Sequence, residues 1–227
     1  MSTVRLPGGP TLSYQEWGRP DGAVVLMLHG LESSSDTWRH VAPVLGERFR
    51  VVAPDARGHG DSEWVADYSF PALSRDVVGL MDQLGILAAI VVGHSMGAVT
   101  AYHLAATEPE RVRLLVLEEM PPPDPAKPPQ PYPRDPLPDT DWQAVIAVRR
   151  WLNAPDGSWW PMASSISART LVLGGTGSHL DQGRIQALSD AIPNGTYRAL
   201  DVGHNPHKDR PSEFLGVVEP FLEFFAK

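Results

Sequence analysis

Short apolar runs alternate along the chain with longer stretches whose apolar residues recur at helical spacing. Residues 23–28 (AVVLML), 88–92 (AAIVV), 112–117 (VRLLVL) and 170–173 (TLVL) are continuous or nearly continuous apolar runs. A strand with no polar face is one buried on both faces, as in a parallel sheet. Residues 50–53 and 196–200 read as shorter strands, and 11–17 (TLSYQEW) alternates well enough for an edge strand. Helices are expected over 36–45, 71–84, 96–106, 141–152, 181–192 and 211–225. The clearest is 71–84, where Leu73, Val77, Leu80, Met81 and Leu84 share one face. Pro43 should kink or interrupt the first of them. Strands and helices taking turns argue for an α/β fold, a mostly parallel central sheet with helices on both sides.

One segment breaks the rhythm. Ten of the eighteen residues from Pro121 to Pro138 are proline, so neither a helix nor a central strand can form there. A single helix follows at 141–152, expected to be capped by Asp139 or Thr140, and Trp151, Trp159 and Trp160 crowd the end of the insert. The expectation is one domain over 1–227 with a small proline-rich lid at about 120–168 and a shallow, fairly open site. The formal charge of −8 disfavours a nucleic acid or an anionic membrane as partner. No run is long enough to span a membrane, and the first ten residues lack the apolar core of a signal peptide. Without cysteine there is no disulfide and no thiolate chemistry, which fits a cytoplasmic protein. Eight histidines are present, yet none has a metal-ligand spacing, and Gly174-Gly175-Thr176-Gly177 lacks the lysine and order of a phosphate loop. No metal and no cofactor is expected.

The candidate chemistry begins at residues 91–97, VVGHSMG. Here a buried-type strand ends in Gly93, Ser95 follows between Gly93 and Gly97, and a helix begins. That is the strand, sharp turn and helix of a nucleophile elbow, G-x-S-x-G. A serine hydroxyl is a weak nucleophile that needs to project from the backbone beside a base. A tight turn provides this, and it crowds the flanking positions so that residues without a β-carbon fit best. His204 is the candidate base, since it follows a strand late in the chain and imidazole takes and returns a proton near neutral pH. His207 reads as a surface-loop histidine or a structural partner, and His29 and His59 as structural residues in turns.

Four pieces in order, His29-Gly30, DARGHGDS at 55–62, GHSMG at 93–97 and Gly203-His204, resemble the α/β-hydrolase superfamily and span nearly the whole chain. The resemblance implies Ser95 as nucleophile, His204 as base, and the amides of Leu31 and Met96 as the oxyanion hole. Family members of this kind mostly carry an aspartate after the seventh strand, but Ser178 stands at that position here. Asp181 lies close by and already has a helix-opening role, while a minority of the family place the acid after the sixth strand. There the chain reads Glu118-Glu119, and Glu119, 24 residues past Ser95, matches that alternative. Glu119 is therefore preferred over Glu118 and Asp181 as the third residue. The implied activity is hydrolysis of a carboxylic ester of a small or medium molecule through an acyl-enzyme. Thioesterase, lactonase and cofactor-free perhydrolase chemistry share the machinery, and a hydrolase-like binding protein with little turnover is the alternative from another class. Trp159 and Trp160 would supply an apolar wall to the substrate pocket. The family's epoxide hydrolases and dehalogenases need an aspartate nucleophile, which Ser95 is not.

Overall fold

The apolar runs become the middle of one eight-stranded sheet. In this computed structural model the described residues are 1–227 without 121–123, 125–128, 130, 132–137, 155–156 and 224–227. Most of the proline-rich segment and the end of the expected closing helix therefore lie outside the described residues. The strands are β1 (Ser2–Arg5), β2 (Thr11–Gly18), β3 (Val24–Leu28), β4 (Arg50–Pro54), β5 (Ala89–His94), β6 (Val112–Glu118), β7 (Arg169–Gly175) and β8 (Gly195–Leu200). Their spatial order is β1-β2-β4-β3-β5-β6-β7-β8, with β1 and β2 antiparallel and every pairing from β4 onward parallel. The expected edge strand, β2, lies one place in from the edge, because β1 pairs along it. Four residues reading STVR carry too little alternation to announce that strand.

The helices are α1 (Ala42–Gly46), α2 (Phe70–Gln83), α3 (Met96–Thr107), α4 (Trp142–Asn153), α5 (Trp159–Ser165), α6 (Gln182–Ala191), α7 (Pro206–Asp209) and α8 (Pro211–Leu222). The helix expected over 36–45 divides into a 3₁₀ turn at Ser35–Trp38 and the short α1. Pro43 opens α1 instead of kinking it, since in a first turn its missing N–H has no partner to lose. Asp141, and not Asp139 or Thr140, caps α4 by accepting the Gln143 amide at 2.9 Å. The pleat sorts each apolar run between two cores. Leu26, Val91, Leu115 and Val172 pack with α2, α3 and α6 on one face. Val25, Ile90, Leu114 and Leu171 pack with α1 and α8 on the other.

The contact between β3 and α3 is closer than any side chain permits. A β-carbon on Gly97 would lie 2.1 Å from the Leu28 carbonyl oxygen, and one on Gly93 would lie 2.4 Å from the Gly97 oxygen. Both obstacles are backbone, so neither can turn aside. Aromatic stacking ties the segment between β6 and β7 to this layer. Trp159 stacks on Tyr102 of α3 at 4.4 Å and accepts a hydrogen bond from its hydroxyl, while Trp151 packs on Phe70 of α2 at 4.6 Å.

Five titratable groups lie buried near the C-terminal ends of the strands. Burial lowers His29 and His94 to about 4, and His59 and His207 to about 3. Burial raises Glu118 to about 7.

Two outcomes follow from this packing. Gly97→Ala should destabilise the protein by about 1–3 kcal/mol or prevent folding, seen as a lower urea midpoint; a midpoint equal to wild type would contradict the close approach. The second concerns pH. The four histidines stay neutral when folded but take protons when unfolded, so they favour unfolding as pH falls from 6.5 towards their folded values. Glu118 acts oppositely, its contribution being complete below 4.5 and lost as pH rises through about 7. Near pH 5.5 the five together should take up about three protons on unfolding. The thermal midpoint should therefore drop steadily between pH 7 and pH 5, and a flat profile would show the histidines to be solvated.

Candidate active site

The site is built where β5, β6, β7 and β8 end. Ser95 follows β5 with φ 50° and ψ −112°, a conformation that costs a non-glycine residue on the order of 1–3 kcal/mol. Two ties hold it there: its N–H donates to the Glu118 carbonyl at 2.9 Å, and its carbonyl accepts the Val99 amide at 3.1 Å. Met96 is the first residue of α3, so its amide belongs to the unpaired N-terminal turn of a helix. The 29–31 loop runs against this turn. A β-carbon on Gly30 would sit 2.7 Å from Nδ1 of His94 and 3.4 Å from Cβ of Ser95. Leu31, next in the chain, is half-buried.

His204 and Glu119 meet directly. Nδ1 of His204 lies 2.9 Å from Oε2 of Glu119, with the imidazole side chain 25% exposed and the carboxylate side chain fully buried. Glu119 also has a positive φ, 53°, and its N–H donates to the Leu173 carbonyl at 2.8 Å. Its second oxygen accepts the Gly175 amide at 2.6 Å and Nε2 of Gln182 at 3.1 Å, while Oε2 also accepts the Ser178 hydroxyl at 2.5 Å. Burial pushes this carboxyl up, but the hydrogen bonds from His204, Ser178, Gly175 and Gln182 outweigh it and hold it below its ordinary value. Glu119 is thus an ionised acceptor directed at one imidazole nitrogen.

The other acid candidates lie elsewhere. Asp181 caps α6 through the Arg184 amide at 3.2 Å. Glu118 takes His207, whose Nδ1 lies 2.8 Å from Oε2 and whose N–H donates to Oε1 at 2.9 Å. Consecutive residues at a strand end point to opposite sides, so the two glutamates receive different histidines. Ser178, standing where an aspartate was expected, donates to the glutamate that faces His204. Gln182 is the support that sequence reasoning missed. Nothing in a helix-opening glutamine signals a carboxylate from β6 above it, and Tyr197 holds it by donating to its Oε1 at 3.1 Å.

His29 accepts the Ala56 amide on Nε2 at 2.9 Å, leaving Nδ1–H to donate to the Gly30 carbonyl at 2.7 Å, a structural task as expected. His207 is fully buried and not a surface-loop residue, because it lies in α7, which turns it inward onto Trp38 at 4.2 Å. Trp159 is buried in its stack on Tyr102, whereas Trp160 is 40% exposed. A cleft of about 570 Å³ has Glu32 and Ser33, directly after Leu31, in its wall, and a cavity of about 30 Å³ lies under Met96 and Gly97. Neither tryptophan lines either of these spaces. Among the described residues, no three His, Cys, Asp or Glu side chains converge as a metal-ligand set, and no helix is long and apolar enough to cross a membrane.

A family model described as the alpha/beta hydrolase fold matches residues 23–147. The sn-1-specific diacylglycerol lipase ABHD11 of Mus musculus is 41% identical over 100 residues, 43% of this chain and 33% of that protein. Epoxide hydrolase A of Mycobacterium tuberculosis (strain ATCC 25618 / H37Rv) is 35% identical over 117 residues, 50% of this chain and 36% of that protein. The chain thus spans about a third of the length of these relatives. In fold, it superposes on the enol-lactonase from Burkholderia xenovorans LB400 with a TM-score of 0.86 at 24% identity, covering 98% of this chain and 100% of that one. With the family model matched over more than half its length, and its sheet order and strand-end turns in place, the chain belongs to the α/β-hydrolase family.

Proposed function

We propose that the protein is a serine hydrolase that cleaves a carboxylic ester of a small or medium molecule through an acyl-enzyme, in the cytoplasm and without a cofactor. One observation carries this reading: His204 is held by a buried, ionised Glu119, and Ser95, on a strained turn, is tied through its N–H to the carbonyl of Glu118, the residue before that glutamate. Oγ of Ser95 attacks the acyl carbon while its proton passes to Nε2 of His204. Glu119 keeps Nδ1–H of the imidazole in place, so Nε2 is the basic nitrogen, and it stabilises the imidazolium that forms. The amides of Leu31 and Met96 receive the charge on the tetrahedral oxygen; a single such donor is typically worth roughly 10²–10³ in rate. The C–O bond to the alcohol breaks as His204 returns the proton to it. Water, deprotonated by His204, then releases the acyl group as a carboxylic acid and restores Ser95.

Of the lid expected at about 120–168, α4 and α5 are the described helices, and they act as the cover over the sheet. Of the two tryptophans assigned to the pocket wall, Trp160 has the exposure to meet a substrate, and Trp159 serves the stack on Tyr102. The epoxide-opening alternative raised by the mycobacterial relative lacks the aspartate that it would need at residue 95.

Ser95→Ala should abolish turnover of p-nitrophenyl esters, by roughly 10⁴-fold or more, while the circular dichroism stays that of the folded protein. Labelling by a fluorophosphonate should disappear with it, and a mutant that still turns over would end the assignment. Glu119→Gln should lower kcat by roughly 10²–10⁴-fold, because an amide can hold the wrong tautomer and cannot offset the imidazolium. Asp181→Asn should keep near-normal kcat; if it is the worse of the two, the acid has been misassigned.

A further inference from the structure

Glu118 and His207 have no part in that reaction, yet both side chains are wholly buried at the base of the site. Taking a carboxyl group and an imidazole out of water is costly unless their polar atoms are hydrogen-bonded, and an apolar pair would pack there without that cost. The position of the pair is informative. His204 lies in the turn after β8 and His207, three residues on, in α7, while Glu118 and Glu119 are neighbours at the end of β6, so each glutamate holds one histidine. Glu118 grips His207 twice, through the ring Nδ1 and through the backbone N–H. The far nitrogen of that ring, Nε2, is 2.7 Å from the Thr37 hydroxyl. Both ring nitrogens are bonded, so the ring cannot turn without giving up two hydrogen bonds.

Thr37 belongs to the 3₁₀ turn that follows the 29–31 loop. The chain Glu118–His207–Thr37 therefore connects three elements: the end of β6, the loop of His204, and the segment that continues from Leu31. His94 closes the arrangement from the opposite side. Its Nε2–H donates to the His204 carbonyl at 2.8 Å, and its ring centre is 4.9 Å from those of both His204 and His207.

We propose that Glu118, His207 and Thr37 form a second carboxyl–imidazole chain that positions the proposed base: they fix the His204 loop on β6 so that the imidazole stays between Glu119 and Ser95. The inference rests on the reading of His204 as base. All three are positioning residues, since none reaches the reacting atoms and each acts through His204. A base displaced by a fraction of its hydrogen-bond reach loses rate while the substrate still binds, so the effect falls on kcat and not on KM.

The test uses Thr37→Val, Thr37→Ser and Glu118→Gln, each measured well below its own thermal midpoint. Three readouts are needed: kcat and KM for p-nitrophenyl acetate, the rate of fluorophosphonate labelling, and the low-field Nδ1–H resonance of His204 in protein carrying ¹⁵N-histidine. Thr37→Val should lower kcat and labelling by about tenfold to a hundredfold with KM unchanged, and broaden the resonance. Glu118→Gln should do the same or more. Thr37→Ser keeps the hydroxyl and should restore all three. If folded Thr37→Val and Glu118→Gln match wild type in every readout and only their midpoints fall, the pair is packing and the inference is wrong. Should Glu118→Gln fail to fold, the contrast between valine and serine at 37 decides. If the wild-type protein neither labels nor turns over, the hydrolase reading fails, and the resonance alone still judges the positioning.

Discussion

The hydrogen bond from the Ser95 amide to the Glu118 carbonyl, 2.9 Å across the ends of β5 and β6, is the tie on which the site depends. It joins the serine turn to the peptide immediately before Glu119, so the serine and the carboxylate cannot drift apart. The parallel register from Ile90–Leu114 to His94–Glu118 brings those two strand ends level. The register in turn rests on apolar runs buried on both faces, where a slip by one residue would exchange the two cores.

Holding the turn this way has a local cost, and the cost is concentrated. Among the described residues, the three non-glycine positions with positive φ are Glu32, Ser95 and Glu119. Each is, or directly follows, a residue given a role in the proposed reaction. Such conformations persist only where surrounding bonds over-determine them. Glu119 illustrates this with four donors on its carboxylate and its own amide bonded to Leu173. The two cores supply the stability, and the strand ends use some of it to hold side chains in place.

The same packing makes the histidines unequal. His29, His59, His94 and His207 are buried and held neutral by desolvation, and each bonds to backbone or to a neighbouring side chain. His204 alone of the five in this cluster keeps a partly exposed ring with a buried carboxylate on one nitrogen. A proton-transfer group needs an open nitrogen as well as a fixed one, and that asymmetry sets His204 apart from its neighbours.

Much of this was legible in the chain itself, wherever the information is local. Continuous apolar runs announce strands covered on both faces, and glycines flanking Ser95 announce a turn too tight for a β-carbon. Strand-end motifs in order locate Ser95, His204 and the 29–31 loop. Even the displaced acid could be read, since Ser178 stands where an aspartate was expected and a glutamate pair ends β6. What lay beyond reach depends on contacts between residues distant in sequence. The spacing from Ser95 favours Glu119 over Glu118, but which histidine each receives falls to strand pleat and to the fold of the chain after β8, which turns His204 to Glu119 and His207 to Glu118. The inward burial of His207, the support of Gln182 beneath Glu119 and the stack of Trp159 on Tyr102 are equally non-local. A short sequence determines which elements form and which chemistry they carry, because propensity and periodicity act within a few residues. Which carboxylate reaches which imidazole is decided by tertiary structure, because that distance is set by packing across the whole sheet.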